Sequence, residues 1–212
     1  AGDAFAFAVS NDGTLWGLGV LPYPPMNSKN SPDPALFDAS TGWHSVAAGQ
    51  FHTLAIKADG SLWGWGENSA LQLGFPWNNP GGSHPSTPQR IGAANDWTQV
   101  VAWSNLSAGI RGSGTLWRWG GWSWLGFTPP PTDYAPSQVG NDADWVQAAF
   151  VFENLVARKA DGRIFRIDGA TATQIGQEAL HQGAKVIAAA ADHRHPQGRA
   201  DQVEQHEAHH RN

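Results

Sequence analysis

The chain of 212 residues contains no cysteine, which excludes a disulfide framework and any thiol chemistry. Basic residues are few: 13 lysines and arginines stand against 18 aspartates and glutamates, and the formal net charge is −5. Because these basic residues are scattered rather than arranged in a stripe, no nucleic-acid partner is expected. No apolar run approaches the length of a membrane span, so no spanning segment is predicted.

Tryptophan and glycine are abundant instead, with 12 and 25 copies, and many of them follow a repeated pattern. The stretch GTLWGLG at residues 13–19 returns as GSLWGWG at 60–66 and GTLWRWG at 114–120, with a weaker copy at 162–168. The first glycines of these copies lie 47, 54 and 48 residues apart. A period near fifty indicates one supersecondary unit that is repeated along the chain.

Each repeated unit has the pattern of four short antiparallel strands. The first strand begins at Trp43, Trp97 or Trp145, and an alternating second strand then leads to an Asp-Gly or Ser-Gly turn. Such a dipeptide between apolar runs is a strong hairpin signal. The repeated glycine stretch forms the third strand, and a fourth follows at 34–37, 88–91, 136–139 and 172–175. The sequence therefore predicts an all-β propeller of about four four-stranded antiparallel blades over residues 1–191.

The two ends of the chain complement each other in this pattern. The first unit lacks the tryptophan-led strand, and residues 184–190 have the right pattern to supply it. We therefore predict a ring closed by N- and C-terminal strands, with residues 185–189 in the blade that starts at Ala4. The alternatives are that the chain is one piece of a larger ring or that strands pair between chains in an oligomeric ring. Residues 192–212 are predicted to be a flexible, polar, histidine-rich tail.

The second unit resembles a repeat of the regulator of chromosome condensation family. The resemblance extends over about residues 1–190 and is most specific in the second unit, at residues 46–49, His52, Leu54, 59–60, 62–66, Asn68 and 72–74. It implies a β-propeller. Family members include a nucleotide exchange factor for a small nuclear GTPase and bacterial members that bind other proteins. The exchange factor resembles a seven-bladed ring, whereas this chain has four units and no recognisable counterpart of its insertion wedge or basic chromatin tail.

No catalytic residue and no cofactor are predicted. Residues 206–210, HEAHH, formally match the zinc-protease motif, but they lie in a polar segment without apolar periodicity. His206, His209 and His210 are therefore only weak metal-ligand candidates, and a tail without metal is the favoured interpretation. His52 takes the place of Phe5 and Leu106 in other units, so we expect it to have a packing role.

The aromatic residues fall into two groups. Trp16, Trp63 and Trp117 recur at one blade position and Trp43, Trp97 and Trp145 at another, which predicts packing between blades. Five others lie in proline- or glycine-rich loops outside the repeat and are candidate partner-binding residues: Trp77, Trp122, Trp124, Tyr23 and Tyr134. Rigid aromatic side chains are enriched at binding hot spots. The alternative is that these loops fold back and bury their own aromatic residues.

The leading functional hypothesis is a non-catalytic scaffold that binds a protein partner through these loops, as a subunit of a surface or extracellular assembly. A carbohydrate-binding, lectin-like propeller is the alternative, and a histidine-mediated metal-binding surface protein is the third. The chain begins with alanine rather than methionine, so it is either a processed chain or an excised piece of a longer one. If it is processed, we expect removal of a secretory signal, which favours a secreted or cell-surface location.

Overall fold

The computed structural model describes residues 2, 5–19, 31–76, 84–121 and 134–175. Within these ranges the chain forms strands and no helix, and so no helix there is able to cross a membrane. The strands are β1 Phe5–Val9, β2 Leu15–Gly19, β3 Ser31–Asp38, β4 Trp43–Ala48, β5 His52–Lys57, β6 Leu62–Gly66, β7 Gln89–Arg90, β8 Trp97–Trp103, β9 Leu106–Arg111, β10 Leu116–Gly120, β11 Ser137–Gln138, β12 Trp145–Val151, β13 Asn154–Lys159, β14 Ile164–Asp168 and β15 Thr171–Gln174.

The strands form four antiparallel sheets that follow the predicted repeat. The first sheet is β1-β2-β3, and the second, third and fourth contain β4 to β7, β8 to β11 and β12 to β15, each in chain order. β4, β8 and β12 begin at the predicted tryptophans, so the prediction of repeated antiparallel blades is confirmed. The first sheet has three strands within the described residues. Its predicted fourth strand at 184–190, and the tail at 192–212, lie outside the described residues.

The Asp-Gly turns join the second and third strands as predicted. In the turn between β5 and β6 the Asp59 carboxylate accepts a hydrogen bond from the Ser61 backbone N–H at 2.9 Å, and Gly60 has a φ of 76°. A positive φ carries little steric penalty for glycine, which explains the residue at this position. Asp12 makes the same contact with the Thr14 N–H. Hydroxyl groups of Ser10 and Thr14 also donate to Asp12 and lower its pKa to about 2.

Successive sheets pack face to face, and their hydrophobic side chains form a separate core between each pair. The first strands of neighbouring sheets lie beside one another, as expected for the inner strands of blades. The cores contain Leu15, Trp43, Ala55 and Trp65 between the first and second sheets; Leu54, Leu62, Ile91, Trp97 and Trp119 between the second and third; and Ile110, Leu116, Trp145, Phe165 and Ile167 between the third and fourth.

A buried polar chain links the second sheet to the third. The His52 Nε2 lies 3.0 Å from the Ser107 hydroxyl, which donates to the Gln72 carbonyl at 2.7 Å. The Trp119 indole N–H donates to the same carbonyl at 2.9 Å. Burial lowers the pKa of His52 to about 4, so its imidazole is neutral near pH 7. The predicted packing role of His52 is confirmed.

One core prediction is wrong at the first sheet. Trp43, Trp97 and Trp145 are buried as predicted, but Trp16 is 37% exposed. Trp16 lies on the face of the first sheet that points away from the second sheet, which we call its outer face, and no described sheet packs there. The corresponding face of the second sheet packs on the first sheet, and that of the third sheet packs on the second.

Candidate functional site

Each sheet has two ends, and they differ in chemistry. At one end lie the Asp-Gly turns between second and third strands. At the other end lie the turns between β4 and β5, β8 and β9, and β12 and β13, and the strands β2, β6 and β10 also finish there. The segments that carry Tyr23, Trp77, Trp122 and Trp124 follow these three strands in the chain. We call this the aromatic end, after Phe51, Trp103 and Phe152 at the tips of its turns.

The aromatic end contains two tight turns with unusual backbone geometry. Trp103 pairs with Leu106 in the sheet register, which leaves the two-residue turn Ser104-Asn105 between β8 and β9. The same register leaves Phe152-Glu153 between β12 and β13. Ser104 has a φ of 44° and Phe152 a φ of 53°, in the region that favours glycine. A bulky residue with a positive φ is strained, at a typical cost of about 1–3 kcal/mol.

Three aromatic side chains are exposed at or beside the turns of this end, and we call them the aromatic belt: Phe51, Trp103 and Phe152. Their exposed fractions are 41%, 43% and 74%. The rings of Trp103 and Phe152 meet edge to face, with centroids 6.2 Å apart and planes at 89°. The Gln50 N–H donates to the Ser104 carbonyl at 3.1 Å, so the turns of the second and third sheets also touch. The belt therefore extends over three sheets.

Charge at the belt is negative. Glu153 is exposed beside Phe152. The Glu67 N–H donates to the Phe51 carbonyl, and the Glu67 carboxylate lies 3.4 Å from His84 Nε2. The three turns, residues 49–52, 103–106 and 151–154, contain no lysine or arginine.

At the opposite end, a cation of the chain covers each aromatic pair. Lys57, Arg111 and Lys159 each end a second strand there and lie over the aromatic rings of their own sheet. The distances from the cationic atom to the two ring centroids are 4.5 and 4.7 Å for Lys57 over Trp43 and Trp63, 5.9 and 5.3 Å for Arg111 over Trp97 and Trp117, and 4.9 and 5.3 Å for Lys159 over Trp145 and Phe165.

A cleft of about 230 Å³ opens between the third and fourth sheets. Arg118, Tyr134, Gln138 and Gly169 are among its lining residues. The Arg118 Nη1 donates to the Gly169 carbonyl at 3.3 Å. The structure thus places the predicted binding residue Tyr134 in the same cleft as Arg118, a cleft that has both apolar and hydrogen-bonding lining residues.

The other predicted site residues, Trp77, Trp122, Trp124 and Tyr23, lie outside the described residues, as do His206, His209 and His210. In the part of the chain that the structure describes, no group of three or more histidine, aspartate or glutamate residues is placed to hold a metal ion.

The sequence did not point to three exposed residues, Phe51, Trp103 and Phe152, or to the half-buried Arg118. A signal was present for Phe152, because the repeat spacing places it in a two-residue turn where glycine or asparagine is expected. Trp103 takes the position that Gly49 has in the second unit, directly after β4. Large aromatic residues at or beside turns were the available signal for these exposed side chains.

The buried histidine and serine do not form a reactive pair. His52 and Ser107 are each 1% exposed, and the Ser107 hydroxyl donates its proton to a backbone carbonyl. An activated nucleophile requires that a neighbouring base accept this proton and that the substrate reach the oxygen. The pair therefore holds two sheets together.

The chain is similar in sequence to RCC1-type proteins. A model of the regulator of chromosome condensation (RCC1) repeat matches residues 43–72, which span β4 to β6 and the following loop. Protein pim1 of Schizosaccharomyces pombe is 27% identical over 164 residues, which cover 68% of this chain and 29% of pim1. This chain thus spans less than a third of that relative's length.

Two solved structures share the fold. Human WBSCR16 matches with a TM-score of 0.68 and 17% identity, over 85% of this chain and 52% of that one. Prp20p from Saccharomyces cerevisiae matches with a TM-score of 0.68 and 18% identity, over 84% of this chain and 50% of that one. The Prp20p structure was described together with its binding properties to Gsp1p and histones. At these identities the likeness establishes the fold alone.

Proposed function

Since this chain is an RCC1-like β-propeller, we propose that it is a non-catalytic scaffold that recognises a protein partner through the aromatic end of its blades. The observation that carries the proposal is the aromatic belt, where Phe51, Trp103 and Phe152 are exposed on turns of three successive sheets. Exposed aromatic residues on rigid turns lose little conformational entropy on binding.

Two further observations support a protein partner. The structural neighbour Prp20p has binding properties toward Gsp1p and histones. The cleft that contains Tyr134 and Arg118 offers hydrogen-bonding groups beside apolar surface, the combination typical of protein interfaces. Nucleotide exchange is not proposed, because this chain spans about half of the similar solved chain.

The proposal also includes a closed ring that belongs to a larger assembly. The inner strand of the first sheet, β1, has an edge without a described neighbour, and residues 184–190 would complete this sheet and close the ring. A closed scaffold of this kind suits a subunit of a surface or extracellular assembly, in which binding loops are presented on a rigid base.

A carbohydrate-binding propeller is the second candidate. Trp103 favours it, because an exposed indole on a strand end is a suitable platform for a sugar ring, with Asn105 in the neighbouring turn as a hydrogen-bonding group.

The test is affinity capture from the native host with the immobilised chain, beside a glycan array. We expect capture of a specific protein and, once it is identified, a loss of affinity of about 2 kcal/mol for Trp122→Ala, Trp124→Ala and Trp103→Ala. Trp16→Ala is the matched control, because this exposed tryptophan lies on the outer face of the first sheet. Binding to a defined glycan without a captured protein would contradict the proposal and establish the second candidate.

A further inference from the structure

The chain repeats one arrangement three times at the Asp-Gly end of its blades. Two aromatic rings of one sheet meet edge to face, and the cation that ends the second strand lies over both. The ring centroids are 6.1 Å apart for Trp43 and Trp63, 6.2 Å for Trp97 and Trp117, and 5.3 Å for Trp145 and Phe165. The electron-rich faces of such rings attract a lysine or arginine group.

Trp103 and Phe152 form a fourth pair with the same geometry at the aromatic end. Their centroids are 6.2 Å apart and their planes are at 89°, compared with 6.2 Å and 69° for Trp97 and Trp117. Both rings are exposed. Among the described residues, no lysine or arginine lies over either ring.

Electrostatics at this fourth pair favour a cation. Glu153 follows Phe152 directly and is exposed, and no cation of the described ranges pairs with its carboxylate. A carboxylate on the residue next to an exposed ring pair can supply an ion-pair acceptor, while the rings supply surface for stacking. The planar guanidinium group uses these two features together, because it stacks on rings and donates in a fork to a carboxylate.

The backbone at Phe152 is strained although its side chain is exposed. Its φ of 53° is unfavourable for a bulky residue, and its side chain is 74% exposed. The one ring contact of Phe152 in the described structure is with Trp103. Strain of this kind at an exposed side chain is typical of binding sites.

We propose that Trp103, Phe152 and Glu153 form a receptor for an arginine side chain in an extended basic segment of the partner protein. The guanidinium group lies over the two rings, as Arg111 lies over Trp97 and Trp117, and donates to the Glu153 carboxylate. This inference rests on the proposed protein-binding function and specifies the chemistry of the partner.

The test uses the full chain and two synthetic peptides, acetyl-(Gly-Arg)6-amide and the same peptide with citrulline in place of arginine. Citrulline keeps the shape of arginine but removes its charge. We expect the arginine peptide to bind at least tenfold more tightly in calorimetric titration at low salt, with the preference decreasing as salt is added. Equal affinity for the two peptides would overturn the proposal.

Three variants test whether the preference for the arginine peptide depends on Trp103, Phe152 and Glu153. Trp103→Ala and Phe152→Gly should each abolish the tenfold preference, and Glu153→Gln should reduce it about threefold. Phe152→Gly is the decisive variant, because glycine suits the positive φ and the fold is therefore retained. Leu36→Ala, which removes an exposed side chain from the first sheet, is the control and should bind as the unchanged protein does. Variants that keep the preference would place the binding elsewhere and contradict the proposal.

Failure of this inference can be distinguished from failure of the proposed function. If the chain captures a specific host protein whose affinity is unchanged by Trp103→Ala and Phe152→Gly, the scaffold function holds and the arginine receptor is wrong. If an oligosaccharide binds the belt and the arginine peptide does not compete with it, both the receptor and the protein partner at this surface are wrong.

Discussion

The first and second sheets carry similar residues at equivalent positions. The face of the second sheet that carries them packs on the first sheet, whereas no described sheet packs on the corresponding face of the first sheet. Trp16 and Trp63 occupy the same place in the repeat, and each indole N–H donates to the hydroxyl two residues earlier in the chain. Leu18 and Trp65 are also equivalent. Leu18 is 40% exposed, whereas Trp65 is 4% exposed.

The difference comes from the neighbouring sheet. Trp65 stacks on Phe37 of the first sheet with ring centroids 5.2 Å apart and meets Phe7 edge to face at the same distance. On the outer face of the first sheet, Trp16, Leu18 and Leu36 remain exposed. Recurrence in a repeat therefore specifies the shape of a blade, but a residue becomes part of a core only where another blade packs on it.

The largest expected effect tests this contrast directly. Trp65→Ala should cost about 3–5 kcal/mol of unfolding free energy, because it leaves a cavity between two sheets. Trp16→Ala should cost less than about 1 kcal/mol, because its side chain is already exposed. Trp63→Ala should fall between them, because Trp63 is half-buried. Urea unfolding of the three variants checks the order, and equal losses for Trp16 and Trp65 would contradict it.

A second prediction concerns how the unfolding free energy depends on pH through His52. His52 in the second sheet occupies the place of Phe5 in the first and is buried. Its folded pKa is about 4, below the ordinary value of 6.5, so its contribution to stability is complete above pH 6.5. This contribution is lost as the pH falls toward 4, because the unfolded chain takes up the proton first. The loss amounts to roughly 3 kcal/mol.

The measurement is the unfolding free energy at pH 7 and pH 4.5 for the unchanged protein and for His52→Leu. Leucine is the residue at this position in the third unit, Leu106. The variant should lose less stability on acidification than the unchanged protein. An identical loss would show that other groups, such as the turn aspartates, account for the acid sensitivity.

The sequence predicted the features that recur and missed those that occur once. The strands beginning at Trp43, Trp97 and Trp145 were predictable because tryptophan position, strand alternation and turn chemistry agree in each unit. The exposure of Trp16 was not predictable, because it depends on what packs beyond the first sheet. Of the candidate site, Tyr134 was predicted. Trp103 and Phe152 were missed, because their pairing depends on the contact between two sheets.

The third prediction concerns what completes the first sheet. Deletion of residues 184–212 should cost about 2 kcal/mol or more, since an inner strand would lose several backbone hydrogen bonds of about 1 kcal/mol each. Deletion of residues 198–212 should leave the melting temperature nearly unchanged, because that segment has few apolar residues to support its ordering. If both deletions have equally small effects, residues 184–190 do not belong to the first sheet.

The smallest expected effect extends the comparison to the turns. Phe152 in the fourth sheet has a φ of 53°, whereas Gln50, at the equivalent position of the second sheet, does not have a positive φ. Phe152→Gly should therefore raise the unfolding free energy by about 0.5–1 kcal/mol, as relief of strain exceeds the entropy that glycine adds to the unfolded chain. Phe51 does not have a positive φ, so Phe51→Gly should give no such gain in unfolding free energy. Destabilisation by Phe152→Gly would instead show that the contact with Trp103 outweighs the strain, and the belt would then contribute to the fold as well as to binding.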